Sequence, residues 1–358
     1  MQNKNDKNAH ATQAAPEAAQ VQGTNASAVA TPQLSIRGLK VQYVTGEETV
    51  RAVDGISIDL EQGDSLGLVG ETGAGKTTTA FSIMRLLPKM TGRIADGSIV
   101  FEGKNLVTAS EEEMMKIRGN RISMIFQDPM TSLNPIFTVG EQIGEVFEIH
   151  EKLGKKEAFA KAGDMLELVG IPRDRANEYP HQFSGGMKQR VVIAAALACN
   201  PRLLLADEPT IALDVTIQAQ VLRMIKELKV KFNTTLVLIS HDLGVVAQVC
   251  KKVAIMYAGR LVEYGPIVEI FRQPLHPYTE GLFNSIPRLD VDKKRLTPIP
   301  GLMPDPSKLP SGCSFAPRCP YAQEECKVIT PSPSIVGSRH VECLMYEGRI
   351  PNRMRSAT

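Results

Sequence analysis

Short apolar runs and amphipathic segments alternate along most of this chain. Period-two apolar positions over residues 34–43, broken around Gly38, and over residues 53–60 predict two strands. Further apolar runs predict buried strands, and apolar residues at helical spacing predict helices between them. The predicted strands are 64–69, 122–126, 203–206, 236–239 and 253–257, and the predicted helices are 76–87, 139–169, 216–231 and 242–250. This alternation is typical of an α/β fold with a mainly parallel sheet.

Composition divides the chain into three parts. Residues 1–32 are rich in Ala, Gln, Asn and Thr without an apolar signal segment, so we expect a disordered tail. Residues 33–265 carry the α/β pattern. A helical subdomain is expected within them at about residues 136–200, where Ala158, Ala162 and Leu166 share one stripe. Many prolines and four of the six cysteines mark residues 266–358 as a separate C-terminal extension.

Charge argues against a nucleic-acid partner, and hydropathy argues against a membrane-spanning helix. The 41 basic and 39 acidic side chains leave a formal charge of +2, so no nucleic-acid partner is expected. The longest strongly apolar stretch, residues 191–199, is far shorter than the ~20 residues that a membrane-spanning helix needs. We therefore expect a cytoplasmic protein whose membrane contact comes through partner chains.

A glycine-rich turn between predicted strand 64–69 and predicted helix 76–87 carries the strongest chemical signal. It fits the pattern G-x-x-x-x-G-K-[ST] at every fixed position. Glycine N–H groups can curl around phosphate oxygens, the lysine can reach the β- and γ-phosphates, and the hydroxyl can ligate Mg²⁺. A bland glycine-rich turn is the alternative. The predicted nucleotide-binding residues are Gly70, Glu71, Thr72, Gly73, Ala74, Gly75, Lys76, Thr77 and Thr78.

Two acidic residues at the end of predicted strand 203–206 supply the second half of this site. Parallel strands carry such residues to the sheet edge at which nucleotides bind. We expect Asp207 to hold Mg²⁺ through water and Glu208 to orient or deprotonate the attacking water. A solvated acidic turn is the alternative explanation. The phosphate loop in the same chain favours the role in nucleotide hydrolysis.

Residues 183–189, with the sequence FSGGMKQ, resemble the signature sequence of ABC ATPases. The resemblance implies a P-loop NTPase fold of the ABC type, with a mostly parallel sheet, an antiparallel β subdomain and a helical subdomain. It also implies that Ser184, Gly185 and Gly186 close over ATP held by a second subunit. Two positions depart from the family pattern: Met187 stands where glutamine is usual, and Ile211 where a small or polar residue is commoner.

Other landmarks of the family occur in the family's order. The resemblance implies that Tyr43 packs on the adenine ring and that Gln127 senses nucleotide. It implies that Asp214, in the D-loop 212–214, binds across the dimer interface, and that His241 contacts the γ-phosphate. Each residue taken singly has an ordinary structural explanation. The implied catalytic residues are Lys76, Gln127, Glu208 and His241, and the implied Mg²⁺ ligands are Thr77, Gln127 and Asp207.

The C-terminal part resembles the oligopeptide and dipeptide permease ATPases, and within them the D type. The resemblance rests on residues 276–278 (HPY), the run 127–135 and the Pro- and Cys-rich tail, and it covers about residues 33–345. It implies a peripheral subunit at the cytoplasmic face of the inner membrane that energises uptake of peptides. The implied partners are two transmembrane permease subunits, a second similar ATPase and an extracytoplasmic peptide-binding protein. Importers of nickel or glutathione share this layout, and a soluble ABC ATPase acting on nucleic acid is the alternative from another class.

The extension contains a four-cysteine motif. Cys313, Cys319, Cys326 and Cys343 are separated by 5, 6 and 16 residues. A disulfide is not expected in a reducing compartment, so metal ligation is the better explanation. Four thiolates suit Zn²⁺ or an iron–sulfur cluster, and unligated thiols are a further alternative. The family resemblance implies a 4Fe–4S cluster here.

Overall fold

The computed structural model describes residues 31–211, 213–285 and 298–354. The tail predicted over residues 1–32 lies outside these ranges apart from its last two residues, and so does Ala212 of the predicted D-loop. The described residues from Pro32 onward belong to one compact unit.

The strands of the described residues form two sheets. In chain order they are β1 Leu34–Thr45, β2 Glu48–Leu60, β3 Ser65–Val69, β4 Gly92–Phe101, β5 Lys104–Asn105, β6 Ile122–Ile125, β7 Leu203–Asp207, β8 Thr235–Ser240, β9 Lys252–Tyr257, β10 Arg260–Pro266, β11 Ser334–Val336 and β12 Arg339–Val341. The smaller sheet is antiparallel with the order β2-β1-β4-β5, and the larger has the order β11-β12-β10-β9-β3-β8-β7-β6. Strands β9, β3, β8, β7 and β6 are mutually parallel, so the predicted parallel sheet is confirmed.

The break in the alternation near Gly38 is an irregularity inside a single strand, β1. Gly38 has φ +55°, and the pairing with β2 shifts its register between Ile36 and Leu39. This shift reverses the phase of the alternation, so that Leu34 and Ile36 before it and Leu39 and Val41 after it all point into the core.

Most helices of the described residues bury side chains in an apolar cluster on one face of the larger sheet. In chain order the helices are α1 Lys76–Met84, α2 Glu111–Ile117, α3 Pro129–Ser132, α4 Val139–His150, α5 Lys155–Leu168, α6 Gly185–Leu197, α7 Val215–Phe232, α8 Leu243–Val249, α9 Ile267–Arg272, α10 Pro277–Asn284 and α11 Glu324–Val328. Short 3-10 turns lie at Arg173–Asn177, Pro180–Gln182 and Ala316–Arg318. Within the described ranges, no helix combines the length and apolarity required to cross a bilayer.

The predicted helical stretch 139–169 consists of two helices, α4 and α5, rather than one. A turn through Lys152, at φ +61°, ends the first helix, and Gly154 precedes the second in an extended conformation. The predicted stripe is confirmed, because Ala158, Ala162 and Leu166 are fully buried.

The two faces of the larger sheet bury different partners. On β7, Leu204 and Ala206 pack into the cluster that contains the helical insert, whereas Leu203 and Leu205 pack into the cluster that contains β1 and β2. Because side chains alternate across a strand, the sheet is apolar on both faces and ends in the acidic residues at its carboxyl edge.

The C-terminal extension continues the larger sheet. Its strand β12 pairs with β10, which places β11 and β12 at the sheet's edge. Arg260 of β10 also donates a hydrogen bond to the buried Glu342 at 2.9 Å. The sequence predicted a separate extension beyond residue 265. The pairing of β12 with β10 shows that this part of the chain adds strands to the larger sheet, as expected for short edge strands that are stabilised by an existing sheet.

Candidate nucleotide site

The phosphate loop leaves the end of β3 and enters α1. A Cβ at Gly70 would lie 2.2 Å from the carbonyl oxygen of Met256, and a Cβ at Gly75 would lie 2.3 Å from that of Ala52. Gly75 is also left-handed, at φ +102°, where it precedes α1. Both positions therefore require glycine, and the loop stays close against the neighbouring strands.

Lys76 points back over this loop. Its ammonium group donates to the carbonyl oxygens of Gly70 at 2.8 Å and Glu71 at 3.0 Å. Burial lowers the pKa of Lys76, while the nearby Glu208 and Asp207 act in the opposite direction. The arrangement places one cation, already withdrawn from solvent, where the loop would receive phosphate oxygens.

Asp207 and Thr77 provide oxygen atoms beside Lys76. Burial raises the pKa of Asp207, and a hydrogen bond from the Thr77 side chain opposes that shift. Within the described part of the chain, Oδ1 of Asp207 is buried and has no hydrogen-bond partner. A buried orphan carboxylate oxygen next to a hydroxyl is the donor chemistry that Mg²⁺ prefers, so these residues fit the predicted metal.

The Glu208 side chain is held at both carboxylate oxygens. Nε2 of Gln127 donates to Oε2 at 3.1 Å, and Nδ1 of His241 lies 3.0 Å from Oε1. The Glu208 backbone is left-handed, at φ +45°, and its N–H donates to Ile239 at 3.0 Å. Such a conformation is costly for a non-glycine residue and occurs often at functional sites. Three sequence-predicted residues from separate segments thus meet at one carboxylate.

One cavity of about 540 Å³ is lined by most of these groups, whereas Asp207 is not among its lining residues. Tyr43 lies on its wall, and the Tyr43 hydroxyl is 3.2 Å from Oγ1 of Thr78. Ile211, one of the two departures from the family pattern, also lines it. The other predicted residues on its wall are Thr72, Gly73, Gly75, Lys76, Thr77, Thr78, Gln127, Glu208 and His241, whereas the predicted loop residues Gly70, Glu71 and Ala74 do not line it. The cavity is large enough for a nucleotide.

The signature and D-loop residues lie elsewhere. Ser184 caps α6 by accepting a hydrogen bond from the N–H of Met187, and Ser184 and Gly185 are exposed. Asp214 caps α7 in the same way, accepting from Ile217 at 3.0 Å. Among the described residues, neither group lines the cavity that holds Lys76. The start of α6 is therefore exposed on the surface of this chain.

Sequence reasoning missed three residues of the extension that reach this site. Arg318 and Tyr278 both hydrogen-bond to Glu71 of the phosphate loop, and Pro306 lines the nucleotide cavity. Tyr278 belongs to the sequence HPY at residues 276–278, which indicated only the family resemblance and not a contact with the phosphate loop. Nothing in the local pattern around Arg318 or Pro306 indicates a partner more than 200 positions away.

Comparisons with known proteins address the family directly. A profile described as ABC transporter matches residues 53–211, and one described as the C-terminal region of oligopeptide/dipeptide transporters matches residues 262–326. The oligopeptide transport ATP-binding protein AppD of Bacillus subtilis is 50% identical over 319 residues, which are 88% of this chain and 97% of AppD. The dipeptide transport ATP-binding protein DppD of the same organism is 51% identical over 326 residues, covering 90% and 97%. This chain belongs to the ATP-binding subunits of the oligopeptide/dipeptide ABC transporter family.

Other relatives and solved structures agree with this assignment. The oligopeptide transport ATP-binding protein OppD of Escherichia coli is 49% identical over 312 residues, 87% of this chain and 92% of OppD. A dimeric post-hydrolysis ATP-binding cassette bound to ADP and Pi superposes with a TM-score of 0.59 at 26% identity, covering 65% of this chain and 98% of that one. The cassette cbiO1 from Clostridium perfringens gives a TM-score of 0.59 at 26% identity, with 68% and 91% covered. The predicted ABC fold is confirmed, and the chain is an ABC-type ATPase.

The four cysteines of the extension come together in the fold. All four line one small cavity of about 20 Å³, together with His276. Among the described residues, however, no three His, Cys, Asp or Glu side chains are arranged to hold a single metal ion. The shared cavity places the four thiols near one another and does not by itself identify a metal centre.

Proposed function

We propose that this chain is the ATP-hydrolysing subunit of an importer for oligopeptides or dipeptides. The observation that carries the proposal is a likeness of 50% identity over 88% of the chain to an oligopeptide transport ATP-binding protein. That likeness includes the C-terminal region as well as the cassette, as the two profile matches do.

The residues at and beside the 540 Å³ cavity have separate roles in ATP hydrolysis. Lys76 binds the β- and γ-phosphates, Tyr43 packs on the base, and the loop N–H groups surround the phosphate oxygens. Thr77, Asp207 and Gln127 hold Mg²⁺, which when bound neutralises phosphate charge. Glu208 orients the attacking water and accepts its proton, and His241 and Gln127 hold that carboxylate in place.

The exposed signature supports a site completed by a second chain. Ser184, Gly185 and Gly186 cap the γ-phosphate held by a similar ATPase subunit, and Asp214 lies at the shared interface. Closure around ATP and reopening after hydrolysis move two transmembrane permease subunits, at the inner face of the membrane. An extracytoplasmic binding protein delivers the peptide.

The four cysteines form the metal part of the proposal. Each iron of a cluster takes a separate thiolate, whereas one zinc ion gathers all its ligands at about 2.3 Å. We propose that the four thiols around this cavity bind an iron–sulfur cluster rather than a zinc ion.

Transport by the assembled complex tests the function. The chain, its permeases, the second ATPase and the binding protein are reconstituted in vesicles with ATP on the side of the ATPases. We expect ATP-dependent uptake of a labelled peptide that unlabelled peptide suppresses and that nickel or glutathione does not. Uptake of nickel or glutathione without peptide uptake would overturn the proposed substrate.

A further inference from the structure

Glu71, in the phosphate loop, is held by the C-terminal extension. Its carboxylate accepts two hydrogen bonds from Arg318, with Nη1 2.9 Å from Oε2 and Nη2 3.1 Å from Oε1. Its backbone N–H donates to the hydroxyl of Tyr278 at 3.0 Å. Its carbonyl oxygen accepts from Nζ of Lys76 at 3.0 Å. One loop residue therefore connects the extension to the lysine that faces the phosphates.

Arg318 is itself fixed. Its Nε donates to the carbonyl of Pro300 at 2.8 Å, and Nη1 also reaches the hydroxyl of Tyr257 at 3.3 Å. The Arg318 side chain is 6% exposed and that of Glu71 is 30% exposed. A two-pronged pair in these surroundings is more directional than a surface ion pair, because the planar guanidinium fits the carboxylate at both oxygens.

Tyr278 is equally constrained. It is fully buried, and its ring centroid lies 4.6 Å from that of Tyr257 and 5.4 Å from that of Phe315. Phe315 directly precedes the 3-10 turn Ala316–Arg318, so both contacts to Glu71 belong to one packed unit. Cys313 and Cys319 lie on either side of Phe315 and Arg318 in the chain. Both line the small cavity shared by the four cysteines, which we call the cysteine cavity.

A third contact supports the same side of the loop. The terminal methyl group of Met303 lies 2.9 Å from the position that a Cβ at Gly73 would occupy. Gly73 has φ +84°. A loop with several glycines is conformationally free by itself, so its ordering before ATP binds has to come from packing against other segments.

We propose that Arg318 and Tyr278 are positioning residues for ATP binding. They hold Glu71, and through its carbonyl group Lys76, in the geometry that receives the phosphates. Loss of either contact lets the loop sample other conformations, and ATP must then order it. The affinity for ATP falls, whereas the catalytic group around Glu208 is unchanged. This inference rests on the phosphate loop being the ATP site, as proposed above.

The test compares Arg318→Gln with the unmodified chain in the assembled complex. We expect the Kd and KM for Mg·ATP to rise roughly tenfold, with kcat within about twofold, because bound ATP orders the loop and Lys76 again before hydrolysis. Arg318→Lys should lose less, since lysine keeps the charge and not the fork. Tyr278→Phe keeps the buried ring and removes only the hydroxyl, so it should raise the Kd in the same direction.

Arg260→Gln is the matched control. Arg260 also joins the cassette to the extension, through Glu342 at 2.9 Å and Asp54 at 3.3 Å, without contacting the phosphate loop. This variant should lower the unfolding temperature and leave the Kd for ATP unchanged. A variant that combines Arg318→Gln with Glu71→Gln should have the same Kd for ATP as whichever single variant has the higher Kd. Both substitutions remove the same contact, so their effects should not add.

The outcomes separate the two proposals. If the unmodified complex shows no Mg²⁺-dependent ATP binding, the proposed function fails. If it binds ATP and Arg318→Gln binds equally well, the positioning role is overturned. An equal rise in Kd for Arg260→Gln and Arg318→Gln would also overturn it, because the effect would then be general loosening of the extension.

Discussion

At the scale of single residues, the orientation of Glu208 is the most specific feature of the site. Its carboxylate is bound at 3.1 Å by Gln127 and lies 3.0 Å from His241, while its backbone adopts a left-handed conformation. Residues from three segments, each following a different strand of the larger sheet, therefore define where a water molecule can be activated. Charge alone at position 208 would not be sufficient, because a general base must lie within hydrogen-bond distance of the water.

Replacing Glu208 with glutamine tests this role. The amide is similar in shape and can still pair with Gln127, but it cannot accept a proton. We expect kcat for ATP hydrolysis to fall on the order of a thousandfold while the Kd for Mg·ATP changes little. Steady-state ATPase assays and equilibrium binding measure the two quantities. Glu227→Gln, at an exposed ion pair with Arg223, is the control and should keep full activity; unchanged turnover in Glu208→Gln would contradict the assignment.

The residues of this site differ in how far the sequence could identify them. Lys76, Thr77 and Asp207 occupy fixed positions in local patterns, and local patterns are what a sequence displays. Arg318 acts on Glu71 from 247 positions away, and that contact depends on how the extension packs. The distinction is between chemistry encoded by adjacent residues and chemistry produced by folding.

At the scale of secondary structure, β10 is the element that joins the cassette to the extension. It pairs with β9 on one side and β12 on the other. Two buried carboxylates lie along this junction, Glu263 within β10 and Glu342 directly after β12. Burial is the main cause that raises the pKa of both, and for Glu342 the pKa reaches about 7 although Arg260 opposes the shift. The junction is therefore sensitive to pH.

The pH dependence of stability has a definite sign here. The folded chain binds the Glu342 proton more tightly than the unfolded chain, whose glutamate has its ordinary pKa of 4.5. Stability from this group is complete below pH 4.5 and is lost as the pH rises through about 7. Relative to the unmodified chain, Glu342→Gln should gain about 3 kcal/mol in unfolding free energy between these limits. Denaturant unfolding of both proteins at pH 5 and pH 8 measures that gain, and a difference independent of pH would refute it.

The secondary structure also shows what apolar periodicity could not predict. The strands and helices of the larger sheet lie close to their predicted positions, because apolar periodicity reflects burial on a sheet or helix face. The single strand β1 and the division of 139–169 into two helices depend on local backbone geometry at Gly38 and Lys152. Periodicity alone records such an irregularity as a break and does not say whether the element continues.

At the scale of the whole molecule, the segment 313–319 connects the cysteine cavity with the phosphate loop, because Cys313 and Cys319 line that cavity and Arg318 hydrogen-bonds Glu71. Cys319 follows Arg318 directly, and Arg318 holds the phosphate loop. A metal held by these cysteines, as proposed above, would lie next to the residue that hydrogen-bonds Glu71. The extension is in this sense part of the ATPase unit as well as a neighbour of it.

Substitution of a cysteine tests both the metal proposal and this connection. We expect the protein purified without oxygen to contain iron, and Cys319→Ser to lose most of it and to raise the KM for ATP. Elemental analysis, visible absorbance and ATPase assays are the measurements. Cys199→Ser is the control, since Cys199 does not line the cysteine cavity. Zinc in place of iron would replace the cluster with a zinc site, and full metal content in Cys319→Ser would contradict ligation by that residue.

The sequence by itself determined the chemistry of this protein: a glycine-rich loop with its lysine, two acids at a strand end, and a signature that indicates the family. Each of these motifs consists of a few adjacent residues, so it can be recognised from the sequence without the tertiary structure. Only the tertiary structure decided that Gln127 and His241 meet at Glu208, that β12 extends the larger sheet, and that Arg318 holds Glu71. Those contacts join segments far apart in the chain, and their geometry arises from packing, which no local pattern records.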